Sequence, residues 1–164
     1  MSANNRIFYA CQAVAITKMG DAVVTRGEIV HGLQSVGITS NFNLEQAFEL
    51  GQIEIYENIE GTPDVEVTLE KVLDGYPLIY HMATTGVEGT AATGIAARSS
   101  ERCDVRLGIF PEVNNNLYNA DTGDDAEVEV YCSGMYVSSV SYTIPVDGSA
   151  TESVTLVGNN KEWL

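Results

Sequence analysis

From Asp64 to Glu70 the chain alternates without a break. Val65, Val67 and Leu69 fall on one side, and Asp64, Glu66, Thr68 and Glu70 on the other. Successive side chains of a strand point to opposite faces, so a period of two fits a half-buried strand and no helix. The rhythm recurs at Gln52–Asn58, where Ile53 and Ile55 oppose Gln52, Glu54 and Tyr56, and at Ala126–Tyr131, where Val128 and Val130 oppose Glu127, Glu129 and Tyr131. Gln52–Asn58 and Asp64–Glu70 flank a Gly61-Thr-Pro63 turn and read as a hairpin. Further strands are expected at Phe8–Ile16, His31–Phe42, Cys103–Phe110, Gly134–Ile144 and Glu152–Val157, with Pro111 and Pro145 as stops. The last two of these strands form a second hairpin through Asp147-Gly148.

One short helix is expected from Asp74 or Gly75 to about Ala83. Asp74 would cap it, Pro77 suits its first turn, and Leu78, Ile79 and Met82 form its apolar stripe. Leu44–Leu50 has helix-like composition but reaches two turns at best, so an extended loop is the alternative. Thr84–Ser100, rich in Gly, Ala, Thr and Ser, is long for a structureless connection, and such loops tend to be functional. Seven or more strands with one short helix predict a mainly β fold, a two-sheet β-sandwich or partial barrel with a short flanking α-helix. At 164 residues one domain is expected, spanning 1–164.

Charge narrows the partners. The chain carries 23 Asp and Glu against 8 Lys and Arg, a net −15. That excludes ordinary nucleic-acid binding, which needs cations to neutralise phosphates, and docking on anionic membranes. No apolar run reaches the roughly 18 residues that cross a bilayer. The N-terminal stretch makes a poor signal peptide, so synthesis in a reducing cytoplasm is expected. The charge is also patterned. Glu45 to Asp74 holds nine acids against Lys71 alone, and Asp121 to Glu129 holds five with no base. Glu54, Glu66, Glu70, Glu127 and Glu129 sit on the polar side of alternating strands, giving either a plain solvated face or a surface that a polyanion passes without sticking.

No catalytic pattern emerges. There is no GxSxG elbow, phosphate-binding glycine loop or dinucleotide fingerprint. The two histidines, His31 and His81, lack ligand spacing, and Asp121–Asp125 lacks the Glu that closes a calcium loop, since that position is Cys132. Glu54 and Glu66 are weak as a glycosidase pair in so acidic a chain. No enzyme activity, cofactor or metal is expected. The three cysteines, Cys11, Cys103 and Cys132, read as buried thiols or as an inter-subunit disulfide.

Several segments are familiar: Val36-Gly-Ile-Thr39, Asn41-Phe-Asn-Leu44-Glu45, Phe48-Glu-Leu-Gly-Gln52, Ile55-Tyr-Glu-Asn-Ile59, Thr62-Pro-Asp-Val-Glu66, Glu70 to His81, Ser133-Gly-Met-Tyr-Val137 and Thr151 to Gly158. Together they resemble the tail tube proteins of contractile-tailed bacteriophages over about Asn4 to Trp163. The resemblance implies two packed sheets and a flanking helix. It implies a homo-oligomer of six-fold rings stacked into a hollow tube, whose lumen barrel is completed between subunits. It also implies sheath, baseplate and tail terminator partners, DNA passing without specific binding, no membrane, and a place in the virion tail after assembly in the host cytoplasm. On that reading Glu54, Glu66, Glu70, Glu127 and Glu129 are lumen candidates from alternation. Leu44, Phe48 and Leu50, with Thr84, Gly86, Gly89 and Gly94 of the long loop, are candidates for inter-subunit or inter-ring contact. The inner tube of a phage-derived injection system, which passes protein, and a monomeric β-sandwich decoration or binding module are the alternatives.

Overall fold

The computed structural model describes residues 12–20, 28–51, 55–85, 101–110, 126 and 128–164. Alternation decides the strands, and the fifth shows how. In β5 (Asp64–Val72) Val65, Val67 and Leu69 are buried while Asp64, Glu66 and Glu70 are exposed. Each fully buried Val or Leu contributes about 1.5–3 kcal/mol relative to exposure, enough to fix which face turns inward. The neighbours of β5 are β2 (Leu33–Asn41) and β8 (Thr151–Gly158), both antiparallel to it.

The sheet continues through β7 (Val128–Thr143), a 16-residue strand, to β6 (Cys103–Ile109) and β1 (Gln12–Lys18). The order is β1-β6-β7-β8-β5-β2, with β9 (Glu162–Trp163) on β7 as well. β7 changes partner part-way along. It pairs with β6 as far as Met135 and with β8 from Tyr136 onward. The two expected layers are therefore two halves of one curled sheet, the partial-barrel form of the expected fold, hinged where one strand switches halves. Gly134 sits at the switch with φ of 65°, a left-handed conformation that a side chain would strain.

Asp104 locks this corner. Its buried carboxylate accepts hydrogen bonds from Gly134 N (2.9 Å), Gly20 N (3.0 Å) and the Tyr131 hydroxyl (2.8 Å). The helix α1 (Ile79–Thr85) lies across the concave side, chiefly against β1 and β7, and brings Ile79, Met82 and Ala83 into a core with Ile16, Leu69, Val105, Met135 and Leu156.

Three expectations need correction. Gln52–Asn58 and Asp64–Glu70 do not form a hairpin: β4 (Ile55–Glu60) pairs with β3 (Leu44–Phe48) and β5 with β2 and β8. Leu44–Phe48 is accordingly a strand, neither helix nor loop, because cross-strand bonds override weak local propensity over so short a span. The helix starts at Ile79, later than expected, and Asp74 does not cap it. Asp74 instead accepts Lys71 Nζ at 2.9 Å and Tyr76 N at 3.2 Å, and the cap comes from β8. Glu152, fully buried, accepts Ile79 N at 2.8 Å, Tyr80 N at 3.3 Å and the Tyr142 hydroxyl at 3.2 Å.

Candidate functional site, an open polar face and an arm

The non-core side of the β2, β5, β8 and β7 half carries a consistent chemistry. Cross-strand register sets Thr39, Glu66, Val157 and Tyr136 in one row, Gly37, Thr68, Thr155 and Ser139 in the next, and Ser35, Glu70, Ser153 and Ser141 in the third. The Arg102 guanidinium lies 5.4 Å from the Tyr136 ring centroid, beside the first row. Hydroxyls dominate, Glu66 and Glu70 are the charges, and none of these positions holds a Lys or Arg. Both glutamates are exposed, and neither forms an ion pair among the described residues. The Ser35 hydroxyl lies 3.4 Å from Glu70 Oε2 and donates to it. Such a surface keeps its own water and offers a phosphate chain nothing to displace counterions onto.

Of the lumen candidates, the structure brings Glu66 and Glu70 together on β5. Glu129 lies on the same non-core side but in the other half of the sheet, half-buried and paired with Arg106 at 3.1 Å. The Arg106 guanidinium also stacks 4.6 Å from the Tyr131 ring centroid. Glu54 and Glu127 lie outside the described residues.

The second feature is the β3–β4 hairpin, a two-stranded sheet of its own. Its root is fixed by Asn43, which adopts φ of 47° and donates Nδ2 to Thr62 O (2.9 Å) and to Asp64 Oδ2 (2.8 Å). Asn tolerates this conformation because its short amide bonds locally. Beyond the root, Phe42, Leu44, Phe48, Leu50 and Ile59 are exposed, Phe48 at 64%. Glu45, Glu49, Glu57 and Glu60 are interspersed among them, with no base between Asn41 and Glu60. A two-stranded ribbon is marginal in water, so an arm with this much bare apolar surface calls for something to cover it. The contact candidates Leu44, Phe48 and Leu50 thus all stand on this arm. Thr84 belongs instead to the last turn of α1, buried, with its hydroxyl donating to Tyr80 O at 2.7 Å, so it does not open a loop as expected. Gly86, Gly89 and Gly94 lie outside the described residues.

Cys103 and Cys132 are buried and unpaired in the core, and Cys11 lies outside the described residues. Burial, helped by the Asp104 charge, pushes the Cys103 thiol up to about 12, and burial also raises Cys132. Sequence reading missed the capping role of Glu152, the corner role of Asp104 and the hydroxyl rows. The rows had a signal: Ser or Thr recurs at every second position along Ser139–Thr143 and Thr151–Thr155.

By sequence, the chain matches no protein-family model and no curated protein. By structure it matches throughout. A chain of the sheath/tube terminator of the extracellular contractile injection system PVC, in the extended state, aligns with a TM-score of 0.65 at 12% identity, covering 99% of this chain and 99% of that one. A chain of the anti-feeding prophage tube-terminating cap aligns at 0.64 and 14% identity, covering 100% and 94%. The SPP1 tail tube aligns at 0.63 and 11% identity, covering 96% and 78%.

The fold is the tail-tube fold. It is shared by tubes and tube terminators of contractile injection systems and by a phage tail tube. Within the tail-tube fold of this chain, the curled sheet supplies the open polar face and the chain between β2 and β5 supplies the arm.

Proposed function

We propose that this protein is the structural subunit of a phage tail tube, with six-fold rings stacked into a conduit through which DNA leaves for the host cell. The observation that carries the reading is the open face of the β2, β5, β8 and β7 half: rows of exposed and half-exposed hydroxyls with two unpaired carboxylates and no Lys or Arg in the rows, on a fold shared with tail tubes. Turned inward and repeated around a ring, that face makes a hydrated acidic lumen with Glu66 and Glu70 on its wall. A channel that carries DNA over a long distance must not bind it, since even a few phosphate contacts per ring would add up along the tube. The arm suits contact between subunits: its Phe48 and Leu50 are bare in the single chain and stand to be covered by a neighbour. Heterologous contacts of this kind grow filaments. Sheath, baseplate and terminator proteins are the expected partners, and the virion tail is the expected location.

The test uses assembled tubes. Glu66→Lys with Glu70→Lys should make the tubes retain added double-stranded DNA at low salt, while wild-type tubes retain none. Equal retention by the two would remove the lumen assignment.

A second reading has its own support, because two of the matched structures are tube terminators or caps. A terminator closes one tube end as a single ring. Purified protein that forms rings and never tubes at any concentration favours it.

A further inference from the structure

β7 belongs to both halves of the sheet, so the angle between the halves is set over the few residues where it changes partner. Those residues, Ser133, Gly134 and Met135, are braced from both edges. On the β6 edge the fully buried Asp104 accepts Gly134 N, Gly20 N from the turn after β1 and the Tyr131 hydroxyl. The Cys103 thiol donates to Met135 O at 3.6 Å. On the opposite edge Asn160 donates Nδ2 to Ser133 Oγ at 2.9 Å, and Gly158 leaves room for the Met135 thioether, which a side chain there would strike. Burial, then the hydrogen bond and charge of Asp104, push the Tyr131 hydroxyl up, so it stays a donor at neutral pH. Hydrogen bonds to a buried charge are strong and costly to leave unmade, so this corner is stiff.

Stiffness here matters to a ring. A closed ring needs each copy to be a wedge of fixed angle, about 60° for six copies and about 51° for seven. With the open face turned to the channel, the β1 and β6 half lies behind it, farther from the axis, and its lean over the channel half sets the wedge. A lean changed by about 9° would admit a seventh copy. We propose that the braced corner at Ser133–Met135 fixes the number of copies in a ring. The inference rests on the tube reading and adds what holds the tube to one diameter.

The experiment counts copies per ring, by cryo-electron microscopy of tubes and native mass spectrometry of rings. Tyr131→Phe with Asn160→Ala removes one brace from each edge, and circular dichroism should match wild type, since Tyr131 is half-buried and Asn160 exposed. This variant should form rings of mixed copy number, the share of minority sizes rising about fivefold over wild type. Tyr131→Phe alone, lighter by one hydroxyl, should shift the distribution the same way to a smaller extent. Glu152→Ala, destabilised at the helix start rather than at the corner, should keep the wild-type number. A single ring size in both corner variants, or mixed sizes in Glu152→Ala as well, overturns the proposal and leaves the tube reading standing. A wild-type protein that never forms rings overturns both.

Discussion

Glu152 joins three parts of the molecule through one carboxylate: the first two amides of α1, the Tyr142 hydroxyl of β7 and its own strand β8. The amides at a helix start have no partner within the helix, and a buried start without one is costly. A seven-residue helix cannot hold itself, so this cap and the burial of Ile79 and Met82 keep it in place. Glu152→Ala should lower unfolding free energy by roughly 1.5–3 kcal/mol in urea titration, since hydrogen bonds to a charged group are removed from a buried site. A loss under about 0.5 kcal/mol would contradict the capping role. Burial and the nearby Glu152 charge push the Tyr142 hydroxyl up to about 12, so it stays a donor to the carboxylate at neutral pH.

Asp74 gives a pH signature. Burial raises its pKa, but the hydrogen bond and charge of Lys71 and the Tyr76 amide outweigh burial and hold it below the usual 3.8. A carboxyl with a depressed folded pKa adds stability above its unfolded value, and that stability is lost as pH falls through the folded value. Asp74→Asn should therefore cost melting temperature at pH 6 and progressively less below about pH 4. An equal loss at both ends would show that the Lys71 contact carries no linkage.

At the scale of elements, the strands were legible where one face is buried and one is wet. Asp64–Val72 and Thr151–Gly158 alternate because each lies between strands with the core on one side only. The pairing of β4 was not legible. Its alternation is that of a ribbon with two exposed faces, and its flanking turn looked like a hairpin connection to β5. What sets the real partner is non-local: Asn43 fixes the root, and β5 is already flanked by β2 and β8. The helix start was misplaced for the same kind of reason, because its cap lies 73 residues away in sequence. The acidic strand faces were readable one strand at a time, but which of them share a surface follows from register, which the sequence does not display. Hydrogen exchange can test the arm. Amides of Leu44–Phe48 should exchange within the fastest class in the dispersed subunit and become protected in assembled tubes, while those of Val65–Leu69 stay protected in both. An arm as protected alone as it is in the tube would show that it needs no neighbour.

At the scale of the whole molecule, a net charge of −15 resists crowding of many copies, yet the proposed tube demands it. The charge is tolerable because exposed carboxylates on the open face stand in water and are screened within about 8–10 Å at ordinary ionic strength. On the proposed reading, bare apolar surface such as that of the β3–β4 arm would hold subunits together. The curled sheet thus has a side that must stay wet and edges that must be covered. A cryo-electron microscopy map of tubes grown from the purified protein would show which side of the sheet stays wet. The tubes should be hollow, with Glu66, Glu70 and the serine and threonine rows lining the channel and α1 on the side away from it. Tubes with α1 toward the channel, or a protein that stays monomeric at high concentration, would contradict it.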